Sequence, residues 1–568
     1  MSMSKFNFQN KWTNFLLLCG IVLIINFLSS YFNTYIDLTA DKRFTLTKAS
    51  KDLVKDLDVV YIKVLLDGDF PAGFKRLQNA TRELLTQFKS ENRKIQFEFE
   101  NPVSGTSEEI IKTRDELAKE GIVPTALKYN DGTQLVQKAI YPYAIINIGN
   151  RSAIVNLLEE QTMGSDEEVV LNNSISLLEY KFCHALQKML LKERQNILFT
   201  DGNGEINEKF TFRLQRDLGK FYKTGRLILD SVVQIDTSVN LLIVAAPQKP
   251  LSLQSQFKID QFIMRGGKVL WIIEKLATSL DSIAKYQFYV PRDIMTGTDD
   301  MLFKYGVRVQ PNLIMDLQCT NIPQVVGMSG DKPQTVMFPW PYHLSLSSKD
   351  NHIINKNIDK VNMFFPSSID TVGKNSEIKK TVLLSSSGYS KLQFNPVRLN
   401  FEILKSEPDP SKFNNGDKAV AVLVEGNFES FFKNRVPEDF RQALQKLKTP
   451  FIEKSKKTKQ IVISDIDFMQ NLVNSRTNET EEIGFNKWEI KYYKGNKDFI
   501  LNSIEYLLDE DGVLESRSKE IKLRLLDKIK VKKERKKWQL INLLLPLLFV
   551  ALIGIAYHYI RRKRYGKI

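Results

Sequence analysis

A chain of 568 residues with 43% hydrophobic and 26% charged residues has the balance of a folded protein with substantial cores, which excludes bulk disorder, collagen and an end-to-end coiled coil. Three scattered cysteines (Cys19, Cys183, Cys319) and four scattered histidines (His184, His343, His352, His558) exclude a disulfide framework and a local zinc motif. The formal charge of +15 is local: residues 1–33 carry +2, 528–537 carry +6 and 561–568 carry +5, which leaves +2 on 34–527. So even a balance on the main body excludes a nucleic-acid footprint.

In chain order, a tail (1–14) leads into an apolar segment, 15–32, FLLLCGIVLIINFLSSYF, flanked by Trp12, Tyr31 and Tyr35. It is long enough to reach across a bilayer as a helix, about 27 Å. It has no small-x-small cleavage site, so it reads as an uncleaved anchor, not a signal peptide. Residues 33–160 form the first lobe. The expected elements are a strand at 58–66, a helix at 74–90, a strand at 95–100, a helix at 108–120 and strands near 125–129, 134–148 and 153–158. This order resembles a thioredoxin-like domain, with Val123-Pro124-Thr125 where that fold often has a cis-proline. No C-x-x-C is present, so thiol exchange is not expected.

A linking helix is expected over 161–192, and an α/β body over 193–510. Short apolar strands at 195–199, 226–229, 241–245 and 268–273 alternate with helices at 207–222 and 253–265, the pattern of a doubly wound parallel sheet. Residues 275–380 read as an irregular insertion, with a turn-rich stretch at 331–341. Strands at 381–385, 419–424 and 460–463 extend the same sheet, and 498–508 is an amphipathic helix. A charged helix (511–539) then leads into a second uncharged segment, 540–560, about 31 Å as a helix, and a basic tail at 561–568. Two spans put both tails on one side. Their charge places them in the cytoplasm and the body in the periplasm, at a bacterial inner membrane.

The chemistry-bearing motifs are sparse. No P-loop, G-x-G-x-x-G, H-E-x-x-H or G-x-S-x-G elbow occurs, so no catalytic residue, cofactor or metal is assigned and an enzyme is not expected. Cys183-His184 cannot pair as helix neighbours and reads as a buried thiol beside a surface imidazole. Two acidic turns follow strands: Asp201, Asn203 and Glu205, and Asp465 and Asp467. At the carboxyl ends of parallel strands, both could line one crevice that holds a metal or a polar glycan. The commoner work of Asp and Asn there is turn formation and helix capping.

From Tyr31 to Tyr565 the chain resembles the GldG family, the auxiliary subunit of a gliding-motility ABC transport system in the Bacteroidetes. The resemblance rests on LTADKRFTLTKAS (38–50), LLIVAAPQKPLS, RGGKVLWIIE, AVAVLVEGNFESFFKNR (419–435), SDIDF and DFILNSIEYLLDEDGVLESRSKEIKLRLLDK. It implies an amidotransferase-like (flavodoxin-like) α/β body without catalytic residues, shared with intraflagellar-transport proteins. Asp201-Gly202-Asn203-Gly204-Glu205 stands where relatives often carry a G-H-G-E-like turn, with Asn203 in place of the histidine. The implied partners are a multi-spanning permease and, through it, a cytoplasmic ATPase, alongside the lipid bilayer. A ligand-binding module and a periplasmic enzyme are the competing readings.

Overall fold

The structure is a computed structural model that describes residues 15, 17–24, 45–130, 135–159, 167–191, 193–286, 288–347, 352–356, 358–373, 376–446, 449–474, 476–518 and 528–566. Met1–Glu520 and Ile521–Ile568 are separate compact units.

In the first unit, α1 (Lys48–Lys55) is capped by the Thr47 hydroxyl, which accepts from Ser50 N–H. β1 (Val60–Val64), α2 (Ala72–Glu91), β2 (Ile95–Phe99) and α3 (Ser107–Lys119) follow. Thr106 and Glu109 close a capping box on α3. The predicted strand 134–148 is two strands in two sheets. β3 (Thr125–Asn130) and β4 (Leu135–Ile140) make a separate hairpin, while β5 (Tyr143–Ile148) and β6 (Arg151–Asn156) complete a sheet of order β2-β1-β5-β6. Pro142, which lacks an N–H, sits at the break. Val123-Pro124 is trans, against expectation; among the described residues the cis bond is Asn395-Pro396.

α4 (Glu167–Leu190) is buried on two sides. One side, with Leu178, Phe182, Cys183 and Leu186, joins the core of the first lobe. The other turns toward the α/β body. His184 is therefore buried, against the expectation of a surface imidazole. Its ring meets Phe221 edge-on at 4.7 Å, and Nε2 lies 3.0 Å from Glu505.

The body is built on β7 (Asn196–Asp201), α5 (Glu208–Leu218), β8 (Lys223–Ile228), β9 (Val239–Ala245), α6 (Leu253–Met264) and β10 (Lys268–Ile272). The 275–380 region contains more order than its prolines suggest. Helices at Leu280–Tyr286 and Asp299–Tyr305 precede a long hairpin, β11 (Cys319–Ser329) and β12 (Lys332–Leu346), which β13 (Val361–Phe364) joins. The stretch read as turns, 331–341, is mostly strand. β12 is paired on one edge only over its first half, where proline costs no sheet hydrogen bond. β14 (Ile378–Ser385), β15 (Ala419–Gly426) and β16 (Thr458–Ile463) return to the main sheet. Its order is β14-β15-β16-β10-β9-β7-β8. The five strands from β16 to β8 are parallel; at one edge β15 runs antiparallel to them and β14 antiparallel to β15.

The central strands are buried on both faces, as a covered parallel sheet requires. Leu241, Ile243, Leu270 and Ile461 point toward α5 and α7 (Lys494–Leu508), whose Phe499, Ile500 and Ile504 share that core. Leu242, Val244, Trp271 and Val462 point the other way, to Phe257, Ile259 and Phe262 of α6. Gly495, at the start of α7, permits a close approach: a Cβ there would lie 2.3 Å from the carbonyl oxygen of Asp359 and 2.5 Å from that of Lys360. Gly495→Ala should therefore cost about 1–2 kcal/mol through a forced backbone shift, read as a lowered thermal midpoint.

In the second unit, α8 (Lys528–Tyr565) contains the stretch Glu534–Tyr565, long and apolar enough to cross a membrane. It is the one such helix among the described residues. The predicted first span, 15–32, is described at Phe15 and 17–24, a helical stretch with Leu18 and Leu23 exposed. Its remainder, with Trp12, Tyr31 and Tyr35, lies outside the described residues, as does 519–527 of the predicted charged helix. Before that gap, Val513–Ser518 is a 3-10 turn.

Candidate functional site

Five parallel strands place five loops along one edge of the sheet. β10 and β16 pair in register, Ile272 opposite Ile463, and Ile273 N–H donates to the Ile463 carbonyl at 2.9 Å. Residues two positions beyond each strand end are thereby neighbours, and these are Glu274 and Asp465. Asp465 Oδ1 accepts the Asp467 N–H at 2.8 Å, which folds the chain back into a short 3-10 turn (Asp467–Met469) and returns a third carboxylate to the same spot. An oxygen from each of Glu274, Asp465 and Asp467 lies within 4.8 Å of the others.

The surroundings hold this geometry. Asp465 Oδ2 accepts from the Phe364 N–H at 2.9 Å, and the Asp467 carboxylate accepts from Gln470 Nε2 at 2.9 Å. Asn496 of α7 donates to the carbonyls of Phe468 and Asn362, which fixes the turn against β13. Glu274 accepts from Ile466 N–H and from the Gln248 side chain.

Desolvation weakens all three acids, and acidic neighbours add to it at Glu274 and Asp465. Glu274 is pushed up to about 8, by desolvation first and the Asp467 charge second. Asp467 rises to about 6, because desolvation outweighs the attraction of Lys487. Asp465, the most buried, lies well above the usual carboxylate range through desolvation and its two acidic neighbours. Near neutral pH the trio retains protons. Three convergent carboxylate oxygens suit two occupants, a shared proton or a hard divalent cation.

Asp201, Asn203 and Glu205 stand apart from this trio, at the end of β7. Asp201 accepts from Gly202 N–H at 2.8 Å and faces Arg226 at 3.4 Å. Glu205 Oε2 accepts from Asn203 N–H at 2.6 Å, while Oε1 is buried without a partner. The Asn203 carbonyl accepts from both Gln248 and Lys249 N–H, at 3.0 and 2.9 Å. These bonds tie the β7 loop to the β9 loop where the strand order reverses, the usual ligand crevice of an open α/β sheet. Gln248 lies between the two acidic turns: its backbone N–H donates to the Asn203 carbonyl, and its side chain acts on the Glu274 carboxylate. Glu274 escaped sequence reasoning because it stands alone after an apolar run. Its signal is positional: KVLWIIE and QIVISD end their strands with an acid at the same offset.

Cys183 is a buried thiol in the first lobe's core, and burial pushes the Cys319 thiol up to about 12.

A family model described as an ABC-type uncharacterized transport system matches residues 194–503, which contain the whole parallel sheet and all three acids. The chain belongs to this family. Its members are auxiliary components of ABC-type transport systems, which implies association with an ABC transporter. A domain of unknown function matches residues 40–147, most of the first lobe. An uncharacterized protein of Borreliella burgdorferi is 24% identical over 443 residues, 76% of this chain and 80% of that protein. Among solved structures, the mmIFT52 N-terminal domain aligns over 56% of this chain and 98% of its own, at 12% identity. Its TM-score of 0.30 is too low to carry an argument.

Proposed function

We propose that the protein is a non-catalytic, membrane-anchored auxiliary subunit of an inner-membrane ABC transport complex of the gliding-motility (GldG) type. The family match over 194–503 carries this reading. The apolar helix Glu534–Tyr565 supports the anchor, and the apolar segment at 15–32 supports a second. In this reading both tails are cytoplasmic, and the thioredoxin-like and amidotransferase-like lobes are periplasmic. A multi-spanning permease is the direct partner, with the ATPase reached through it.

Purification from the native membrane in mild detergent tests the reading. A permease and an ATPase should accompany the full chain at fixed stoichiometry. A chain truncated after Glu520 should lose most of that association. A solitary full-length protein would overturn the proposal.

The trio Glu274, Asp465 and Asp467 favours a second reading, a ligand-binding module for a divalent cation or a cation-bridged glycan. Calorimetric binding of Ca²⁺ or Mg²⁺ that disappears in Asp465→Asn would support it. Absence of binding at millimolar ion would remove it.

A further inference from the structure

The segment 528–537 has seven basic residues and one acid, yet it continues without a break into the apolar part of α8. At 100° per residue, Lys528, Lys532, Arg535 and Lys536 fall on one side of the helix, and Lys530, Lys533 and Lys537 on the opposite side. The positive charge therefore rings the helix. A groove in an acidic protein partner would need it on one face. The single acid, Glu534, accepts from the Trp538 indole N–H at 3.0 Å. Among the described residues no carboxylate lies within ion-pair distance of Arg535, Lys536 or Lys537.

A second ring follows at Arg561, Arg562, Lys563 and Arg564, four successive positions that also surround the helix. Lys537 and Arg561 are 24 residues apart, about 36 Å along the axis. A bilayer is about 30 Å across its hydrocarbon and 40–45 Å with its headgroups. Both rings therefore fall at headgroup depth when the uncharged stretch fills the hydrocarbon. Trp538 at one boundary and Tyr557 and Tyr559 at the other suit the interfaces.

We propose that these two rings are binding sites for anionic phospholipid headgroups, one in each leaflet, and that the 528–537 ring collects acidic lipid around the base of the helix. The occupant is lipid because the charge is distributed around the axis and complements phosphate on every side. The proposal rests on the reading of α8 as a membrane anchor.

The test uses the full-length protein in phosphatidylcholine vesicles that contain either brominated phosphatidylglycerol or brominated phosphatidylcholine. Tryptophan quenching that is lost in Trp538→Phe reports the lipid beside the ring. Brominated phosphatidylglycerol should associate at least about fivefold more strongly than brominated phosphatidylcholine. The preference should fall toward unity in 1 M salt and in a variant with Lys532, Lys533, Lys536 and Lys537 all changed to Gln. Helical circular dichroism of the reconstituted variant confirms that it is folded. Equal quenching by both lipids, or a preference that survives neutralisation, would overturn the proposal and leave the anchor reading intact. No quenching by either lipid would overturn both.

Discussion

Glu274→Gln should make the protein more stable than its parent at pH 8, by roughly 2–3 kcal/mol, and leave it nearly unchanged near pH 5. The sign follows from the trio. Glu274 is held up to about 8 and Asp467 to about 6 in the folded chain. Both lie near 4 when unfolded. Between pH 4 and 8 the folded state binds more protons, so stability falls as pH rises through that window. A glutamine at 274 keeps the shape and removes one half-buried charge, which flattens the decline. Thermal midpoints from pH 5 to 8.5 check this. Under the ligand-binding reading, millimolar Ca²⁺ at pH 8 should also restore stability to the parent and leave the variant unmoved. A parent whose midpoint is flat from pH 5 to 8.5 would contradict the arrangement.

The second large effect lies between the lobes. Glu159 follows β6 and sits 2.8 Å from Lys181 of α4 and 2.6 Å from Lys494 of α7. Desolvation opposes its charge, but the two lysines prevail and hold the carboxyl well below the usual range. Glu159→Gln leaves two half-buried ammonium groups near each other, Lys494 with Asp498 at 3.9 Å and Lys181 with the Asn156 carbonyl at 2.8 Å as their remaining partners. The expected cost is about 1–2 kcal/mol, less than for a fully stranded charge because both lysines keep a second partner. The parent should lose this stability as pH falls below about 4.5, and the variant should lack that acid limb. Lys494→Met in the Glu159→Gln background should recover part of the loss. Urea unfolding of the parent, Glu159→Gln, Lys494→Met and the double variant gives the coupling directly.

Much of the parallel sheet was legible because its strands are short, apolar and punctuated by glycine and proline. LLIVA and KVLWI need no context to read as buried strands. The long hairpin was not legible, because the prolines of DKPQTVMFPWP signal turns unless the strand is known to be an edge. His184 failed for a different reason. A helix of moderate amphipathicity reads as having a wet face, and only the second lobe, packed on that face through Phe221 and Glu505, makes it dry. In the site, the two aspartates stood in a visible turn. Their partner Glu274 is nearly 200 residues away in sequence, and strand pairing alone brings it into place.

The helix Glu167–Leu190 lies outside both family matches, 40–147 and 194–503. It nevertheless supplies Phe182 and Leu186 to one core and His184 and Lys188 to contacts with the other. Family boundaries and folding boundaries therefore differ in this protein. A gene fragment cut at either match would strip one lobe of an internal wall. Exchange of one lobe between relatives would have to carry this helix along and preserve both its sides, so the two lobes are constrained to diverge together.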